Sequence, residues 1–492
     1  MKKIFLALVV CLAGLQAFSQ SVLSEHQLKM MQAFHIVSPA DIDEWAREFL
    51  KDEYRGRRGG DIGFDKAAGY VKNLFEEWGI QPKGDNGTFF NTFPQPYNDV
   101  RETGQLKAKL IIGNDTIVRN YFPRKEFFAS ALSDSGEVTG ELVYVGYGIT
   151  APELNHDDFK GIDMSGKIVM VDGGYPYKGK NIDTLKMWSK YQRVQPKIAA
   201  AAAAGAKGLL FISPYSSPAP RQTGGLIVVS VHETAAKEML AGTGRTLPQW
   251  RELFNRFETG AVLTGHIVTV SANTRFYPEN TTANIVGMIE GSDPVLKNEY
   301  IIASAHLDHL GMLPEMYPGA LDNASGSVIV MAAAKAIALS KVNTKRSILF
   351  VLFSSEELGI LGASYFLKTM PFPKEKINCL VNLDMLGTGT GFSINGAKEW
   401  EHFEPFFRDA SEQWTHRPFT ANLSPWKFIT RFYTDGNAFY NMEIPTFELR
   451  ITGGVRPVFY HVPEDVITQL DPVIMADASR LLAIAMINIA NR

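Results

Sequence analysis

Five runs in the C-terminal part of the chain are almost continuously apolar: TANIVGMIEG (282–291), EYIIASAH (299–306), SILFVLFS (347–354), INCLVNLDM (377–385) and IPTFELRI (444–451). A strand with one wet face alternates polar and apolar residues, so a run without alternation reads as a strand covered on both faces. Helical patterns lie between the runs, at 326–339, 358–368, 401–414 and 434–441, and a last helix over 472–491 follows an Asp471 cap. Alternating strands and helices predict a three-layer α/β unit with a mostly parallel central sheet. In such a sheet the loops after the C-terminal strand ends share one crevice, where ligands bind.

The polar residues of this region gather at those ends. His306 and Asp308 close one run, and Asp322 opens the next helix in LDNASG. Glu356 and Glu357 follow FVLFSS, Asp384 ends INCLVNLD, and His461 lies after the last run in YHVPEDV. Any one of these reads as an ordinary loop residue. Five clusters on one sheet edge are a donor set: two imidazoles and three carboxylates suit two divalent ions that share a bridging carboxylate. Zinc is the expected metal, with cobalt or manganese as substitutes. Asp308 stands two residues from His306, so on an extended strand it faces the same way and is expected to accept from the far imidazole nitrogen. Neighbours at a strand end point apart, so one of Glu356 and Glu357 can bind metal while the other serves as a base.

The rest of the chain has a different texture. Residues 41–54 and 64–80 carry helical spacing, with the basic loop RGRRGG (55–60) between them. That loop reads as solvated rather than as a phosphate cradle, since no strand precedes it and no Gly-Lys-Ser/Thr follows. From about 100 to 275 short β-rich runs recur (LKAKLIIG, GELVYVGYGI, GKIVMVDGG), with the helix IAAAAAAGAK (198–207) and the strand GLLFIS (208–213) among them. They read as a separate β-rich α/β unit.

The chain has 492 residues, room for two or three domains. Lys2 and Lys3 precede an apolar stretch (4–17) shorter than the about 20 residues that span a bilayer, and Ala17 and Ser19 are small. Residues 1–19 therefore read as a signal peptide cleaved before Gln20. Lipidation at Cys11 fits less well, because Val10 is not small. No other stretch is read as membrane-spanning, so the expected location is exported, periplasmic or extracellular, without an anchor. The formal net charge of −3 offers no electrostatic case for nucleic acid or anionic lipid. Cys379, the one cysteine outside the leader, sits in an apolar run and reads as a buried structural thiol.

In this order HLD, LDNASG, SSEELG, NLDMLG and YHVPEDV resemble the zinc exopeptidases of metallopeptidase family twenty-eight (clan MH), which includes bacterial di-zinc aminopeptidases and glutamate carboxypeptidases. EYRGRRGGDIGFDKAAGYV resembles the N-terminal part of that family, and VYVGYGI, DDFKGIDMSGKIVMV and AAGAKGLLFIS resemble a protease-associated (PA) domain inserted in the catalytic one. The resemblance implies a phosphorylase/hydrolase-like catalytic domain over 25–122 and 276–492, with the PA domain over 123–275. It implies two zinc ions, one held by His306, Asp322 and Asp384, the other by Asp322, Glu357 and His461. Glu356 is implied as the general base that takes a proton from the attacking water. A non-proline cis peptide is implied at Asp322–Asn323. Tyr460 resembles a tyrosine that stabilises the oxyanion, with packing as its alternative role. The sequence departs from many relatives at Val466, where they carry Thr.

The function so implied is exopeptidase cleavage of peptide substrates, amino-terminal in the first reading. Arg450 and Arg456 leave open a carboxypeptidase that grips a substrate carboxylate, and both also read as structural ion-pair partners. A glutaminyl-cyclase-like acyltransferase has the same fold with one zinc. A non-catalytic, receptor-like protein is disfavoured because every ligand position and the base are filled.

Overall fold

Alternate residues of the central strands enter two different cores. In Tyr300–His306, Ile301, Ala303 and Ala305 face one core and Ile302 the other; in Ser347–Phe353, Ile348, Phe350 and Leu352 face the first and Leu349, Val351 and Phe353 the second. Helices Ser325–Ser340 and Pro472–Ala490, with Glu25–Ile36 and Pro39–Phe49, close the first core. Leu361–Thr369 and Phe439 of Asp435–Tyr440 close the second. These are the expected three layers. The structure is a computed structural model and describes residues 23–176, 187–213, 225–426, 434–454 and 459–492. The leader at 1–19 and Arg456 lie outside the described residues.

The main sheet has nine strands, and its middle four are parallel in the order Ser347–Phe353, Tyr300–His306, Ile377–Leu383, Thr446–Thr452. Antiparallel strands flank them, Thr281–Ile289 on one side and Gly391–Asn395 on the other. Gly391–Asn395 and Phe419–Ala421 escape a sequence reading because they are short and the first lies among glycines and threonines. Ala320–Ser340 and Pro472–Ala490 are long and apolar enough, by composition, to cross a membrane, which the sequence reading did not anticipate. In this fold they are core helices, their most apolar stretches 89% and 78% buried.

A second sheet of eight strands spans residues 97–277, with Ile168–Asp172, Gly208–Ile212 and Ile227–Val231 as its parallel centre. The alanine-rich helix, Val194–Ala203, packs Ile198 and Ala201 against it. Within it Tyr97–Ile112 pairs with Val262–Tyr277, from Tyr97↔Tyr277 to Lys109↔Ile267. That antiparallel ribbon takes the chain out of the first unit and returns it.

Helix Ile62–Glu77 lies against the outer strand Thr281–Ile289 at Gly287, where a Cβ would stand 2.7 Å from Phe75 Cδ2 and 2.8 Å from Ile80 Cγ2. The fit leaves no room for a methyl group. Gly287→Ala is expected to overpack the contact and lower stability by about 1–3 kcal/mol, read as a lower urea midpoint.

Candidate metal centre

The strand ending at His306 leaves the sheet directly into Leu307 and Asp308, and all three residues are buried. The next segment, 318–324, is an irregular turn rather than the first turn of a regular helix, and its Asp322–Asn323 peptide is cis. Two side chains hold the turn. Asp465, from the loop that carries His461, accepts the Leu321 and Asp322 N–H groups at 2.8 and 3.0 Å. Asn323 donates to the Leu383 carbonyl at 2.9 Å and accepts the Met385 N–H at 3.2 Å, which fixes the turn to the loop bearing Asp384. Asp322 is thus positioned from two neighbouring strand ends.

The donor atoms converge as the sequence implies. His306 Nε2 is 3.4 Å from both Asp322 Oδ1 and Asp384 Oδ1. His461 Nε2 is 3.2 Å from Asp322 Oδ2 and 3.0 Å from Glu357 Oε2. The two oxygens of Asp322 therefore face two different imidazoles. Ligand atoms at ordinary zinc bond lengths around a tetrahedral ion stand about 3.3 Å from one another. His461 Nε2 and Asp384 Oδ1 are buried and make no aligned hydrogen bond among the described residues, despite these short approaches. Buried polar atoms of a folded protein are nearly always paired. Lone pairs aimed past one another at a common point are the pattern a cation resolves, so the residues present fit zinc.

His309 was not singled out from the sequence, although it follows Asp308 directly in HLDHLG. It is fully buried, and its Nδ1 lies 2.8 Å from Glu357 Oε1 and 4.0 Å from Asp322 Oδ2. His309, Asp322 and Glu357 also lie close enough to share an ion. The 2.8 Å contact is an ordinary hydrogen-bond distance, as for an imidazole that orients a liganding carboxylate, whereas His461 stands at ligand-to-ligand spacing from both carboxylates.

Asp308 differs from expectation. The group beside His306 Nδ1 is the Asp308 main-chain carbonyl, at 3.1 Å, while the Asp308 carboxylate is 3.7 Å away. The chain turns after His306, so the same-face geometry of an extended strand does not apply. The carboxylate instead accepts the N–H groups of Glu356 and Glu357, at 3.1 and 3.4 Å, and sets the loop that carries both. Within that loop Glu357 turns to the imidazoles, and the Glu356 carboxylate has no hydrogen-bond partner among the described residues. Tyr460 stacks on the His461 ring at 3.8 Å and is 41% exposed. Arg450 faces Glu448, its Nη2 3.7 Å from Oε2, which is the structural pairing. Cys379 is a buried thiol, as expected.

Electrostatics sort the carboxylates. Burial pushes Glu356 well above the usual carboxylate range; the His306 charge opposes this, and Glu357, Asp435 and Asp384 add to it. Burial also raises Asp308, to about 7. Asp322 and Glu357 go the other way. Burial would raise both, yet the facing histidines hold Asp322 well below its ordinary value and Glu357 at about 2. His461 is raised to about 10, because Glu357 and Asp322 outweigh its burial. Asp435, at the start of Asp435–Tyr440, is a further missed residue. It is fully buried with both carboxylate oxygens unpartnered among the described residues, and its neighbours in charge include His306, Asp308 and Asp384.

Residues 284–486 match Peptidase family M28, and residues 138–239 match the PA domain. Leucine aminopeptidase 2 of Trichophyton rubrum is 28% identical over 217 residues, 40% of this chain and 42% of that protein. Probable leucine aminopeptidase 2 of Aspergillus fumigatus is 25% identical over 270 residues, 50% of this chain and 51% of that protein. The matched region spans about half or less of the length of these relatives. Among solved structures, an aminopeptidase from Aneurinibacillus sp. strain AM-1 has a TM-score of 0.62 at 19% identity, covering 94% of this chain and 96% of its own. BSAP, a zinc aminopeptidase from Bacillus subtilis, has a TM-score of 0.57 at 18% identity, covering 93% and 96%. At such identities the likeness is one of fold, and it extends over both sheets.

All the converging donors lie within the M28 segment, and the second unit touches its rim. Arg124 Nε is 2.6 Å from Glu315 Oε1, and its Nη2 is 3.6 Å from Glu464 Oε1 in the His461 loop. Inside that loop, Asp465→Asn is expected to cost about 1.5–3 kcal/mol of stability, since an amide replaces one of two charge-assisted acceptors. Chemical denaturation of the metal-free protein measures it.

Proposed function

We propose that this chain is an exported zinc metallopeptidase, an aminopeptidase that removes N-terminal residues from peptides. One observation carries the reading: each oxygen of Asp322 faces a different histidine at ligand-to-ligand spacing, with Asp384 completing one set and Glu357 the other. His306, Asp322 and Asp384 would hold one ion, and Asp322, Glu357 and His461 a second, with cobalt or manganese as substitutes for zinc. When bound, zinc polarises the scissile carbonyl and makes the attacking water more acidic. Glu356 takes the water proton and delivers it to the leaving amine. Burial raises its proton affinity, the direction a base working near neutral pH needs. Asp308 orients Glu356 through the backbone. The Tyr460 phenol stacks on the His461 ring and, protonated at neutral pH, would donate to a developing oxyanion.

The amino-terminal preference rests on the leucine aminopeptidase names of the relatives. Against carboxypeptidase specificity, Arg450 is engaged by Glu448. Export rests on the leader at 1–19. The second unit, as a PA domain, flanks the cleft and restricts entry to peptides and unfolded chain ends.

Zinc-loaded protein should cut a C-terminally amidated peptide from its free amino end and leave an N-acetylated peptide intact. Release of C-terminal residues from the acetylated peptide would establish carboxypeptidase activity instead. Glu356→Gln should retain its metal content while turnover falls at least about 100-fold. Asp322→Ala should lose both ions by elemental analysis; retention of either would disprove the bridging role.

A further inference from the structure

We propose that Arg57 is a positioning residue for this centre, joining through its guanidinium the two separate segments that carry His306 and Asp322. The RGRRGG loop is not solvated: Gly56, Arg57, Arg58, Gly59 and Gly60 are all buried. Arg57 Nε donates to the Leu307 carbonyl at 2.9 Å, between His306 and Asp308. Its Nη1 donates to Pro318 and Phe49 carbonyls at 2.7 and 2.9 Å, and its Nη2 to Gly319 at 2.8 Å, where the Asp322 turn begins. The Arg57 carbonyl accepts the His309 N–H at 3.3 Å. The main chain beside it is equally constrained. Gly56 has φ +66°, and a Cβ there would stand 2.3 Å from the Tyr317 carbonyl oxygen and 2.8 Å from that of Gly311.

Three donated hydrogen bonds from one planar group therefore fix the spacing between two ligand-bearing segments without touching a ligand side chain, and a fourth ties the group to Phe49. A metal site is as good as the fixed distances between its donors, and groups that hold ligands in place set its affinity. Arginine suits the task because its fork directs donors in several in-plane directions at once, whereas lysine offers three donors from a single point. Burial lowers the Arg57 guanidinium to about 10, with Asp465, Asp308, Asp322 and Glu357 opposing the fall, so it stays charged at neutral pH and offsets part of the carboxylate charge.

The inference rests on the zinc reading above, and one experiment separates the two. Zinc is titrated against a chromophoric chelator into metal-stripped wild type, Arg57→Lys and Arg57→Met. Absorption spectra of the cobalt-substituted proteins and denaturant unfolding of the metal-free forms are recorded alongside. Wild type should bind zinc tightly, both variants about 10–100-fold more weakly, with an altered cobalt spectrum in Arg57→Lys. Activity of Arg57→Lys should recover when zinc is raised, with KM unchanged. If folded Arg57→Lys binds zinc as wild type does, with the same cobalt spectrum, Arg57 only stabilises the fold and the proposal is overturned. Failure of both variants to fold overturns it equally. If wild type itself takes up no zinc, the metal reading falls, and this inference with it.

Discussion

Everything at this sheet edge depends on how a crowd of buried carboxylates is made tolerable. Asp308, Asp322, Glu357, Asp384 and Asp435 lie together with little solvent. Burying one ionised carboxylate is costly, and burying several side by side adds mutual repulsion. The fold answers with histidines against Asp322 and Glu357, backbone N–H groups against Asp308 and Asp465, and the Arg57 charge nearby. Asp384 and Asp435 retain oxygens without a partner among the described residues even so. Bound cations would neutralise what the protein leaves over, so the charge balance and the geometry of the donors agree.

Much of this was legible in the sequence, for one physical reason. In a parallel sheet buried on both faces, apolar runs stop where strands stop, so polar residues after each run mark the common edge. His306, Asp322, the Glu356–Glu357 pair, Asp384 and His461 were found that way, the resemblance singled out Glu357 of the pair, and the five donors so implied do converge. The three layers followed from the same runs, and the cis Asp322–Asn323 peptide from the resemblance.

What was missed depends on contacts distant in the chain. Asp308 changes partner because the backbone turns after His306, which strand periodicity does not describe. Asp435 and Asp465 look like ordinary loop or cap residues until helix Asp435–Tyr440 and the 461–465 loop are folded over the site. Arg57 and its glycines have the composition of a wet loop, and only the carbonyls of residues 307, 318 and 319 explain their burial.

The bonds that Arg57 and Asp465 make have a consequence for when the centre comes into being. Arg57 meets partners 250 residues later, and Asp465 meets backbone 143 residues earlier. A ribosome releases the chain from its N-terminus, and domains assemble as their parts emerge. The segment with Arg57 is made early and waits for the strand of His306, and the Asp322 turn then waits for residues 461–465 to secure it. A nascent chain therefore has no assembled centre until synthesis is almost complete. Whatever chemistry this sheet edge performs is withheld, by the topology of the chain, until its last segment has been made.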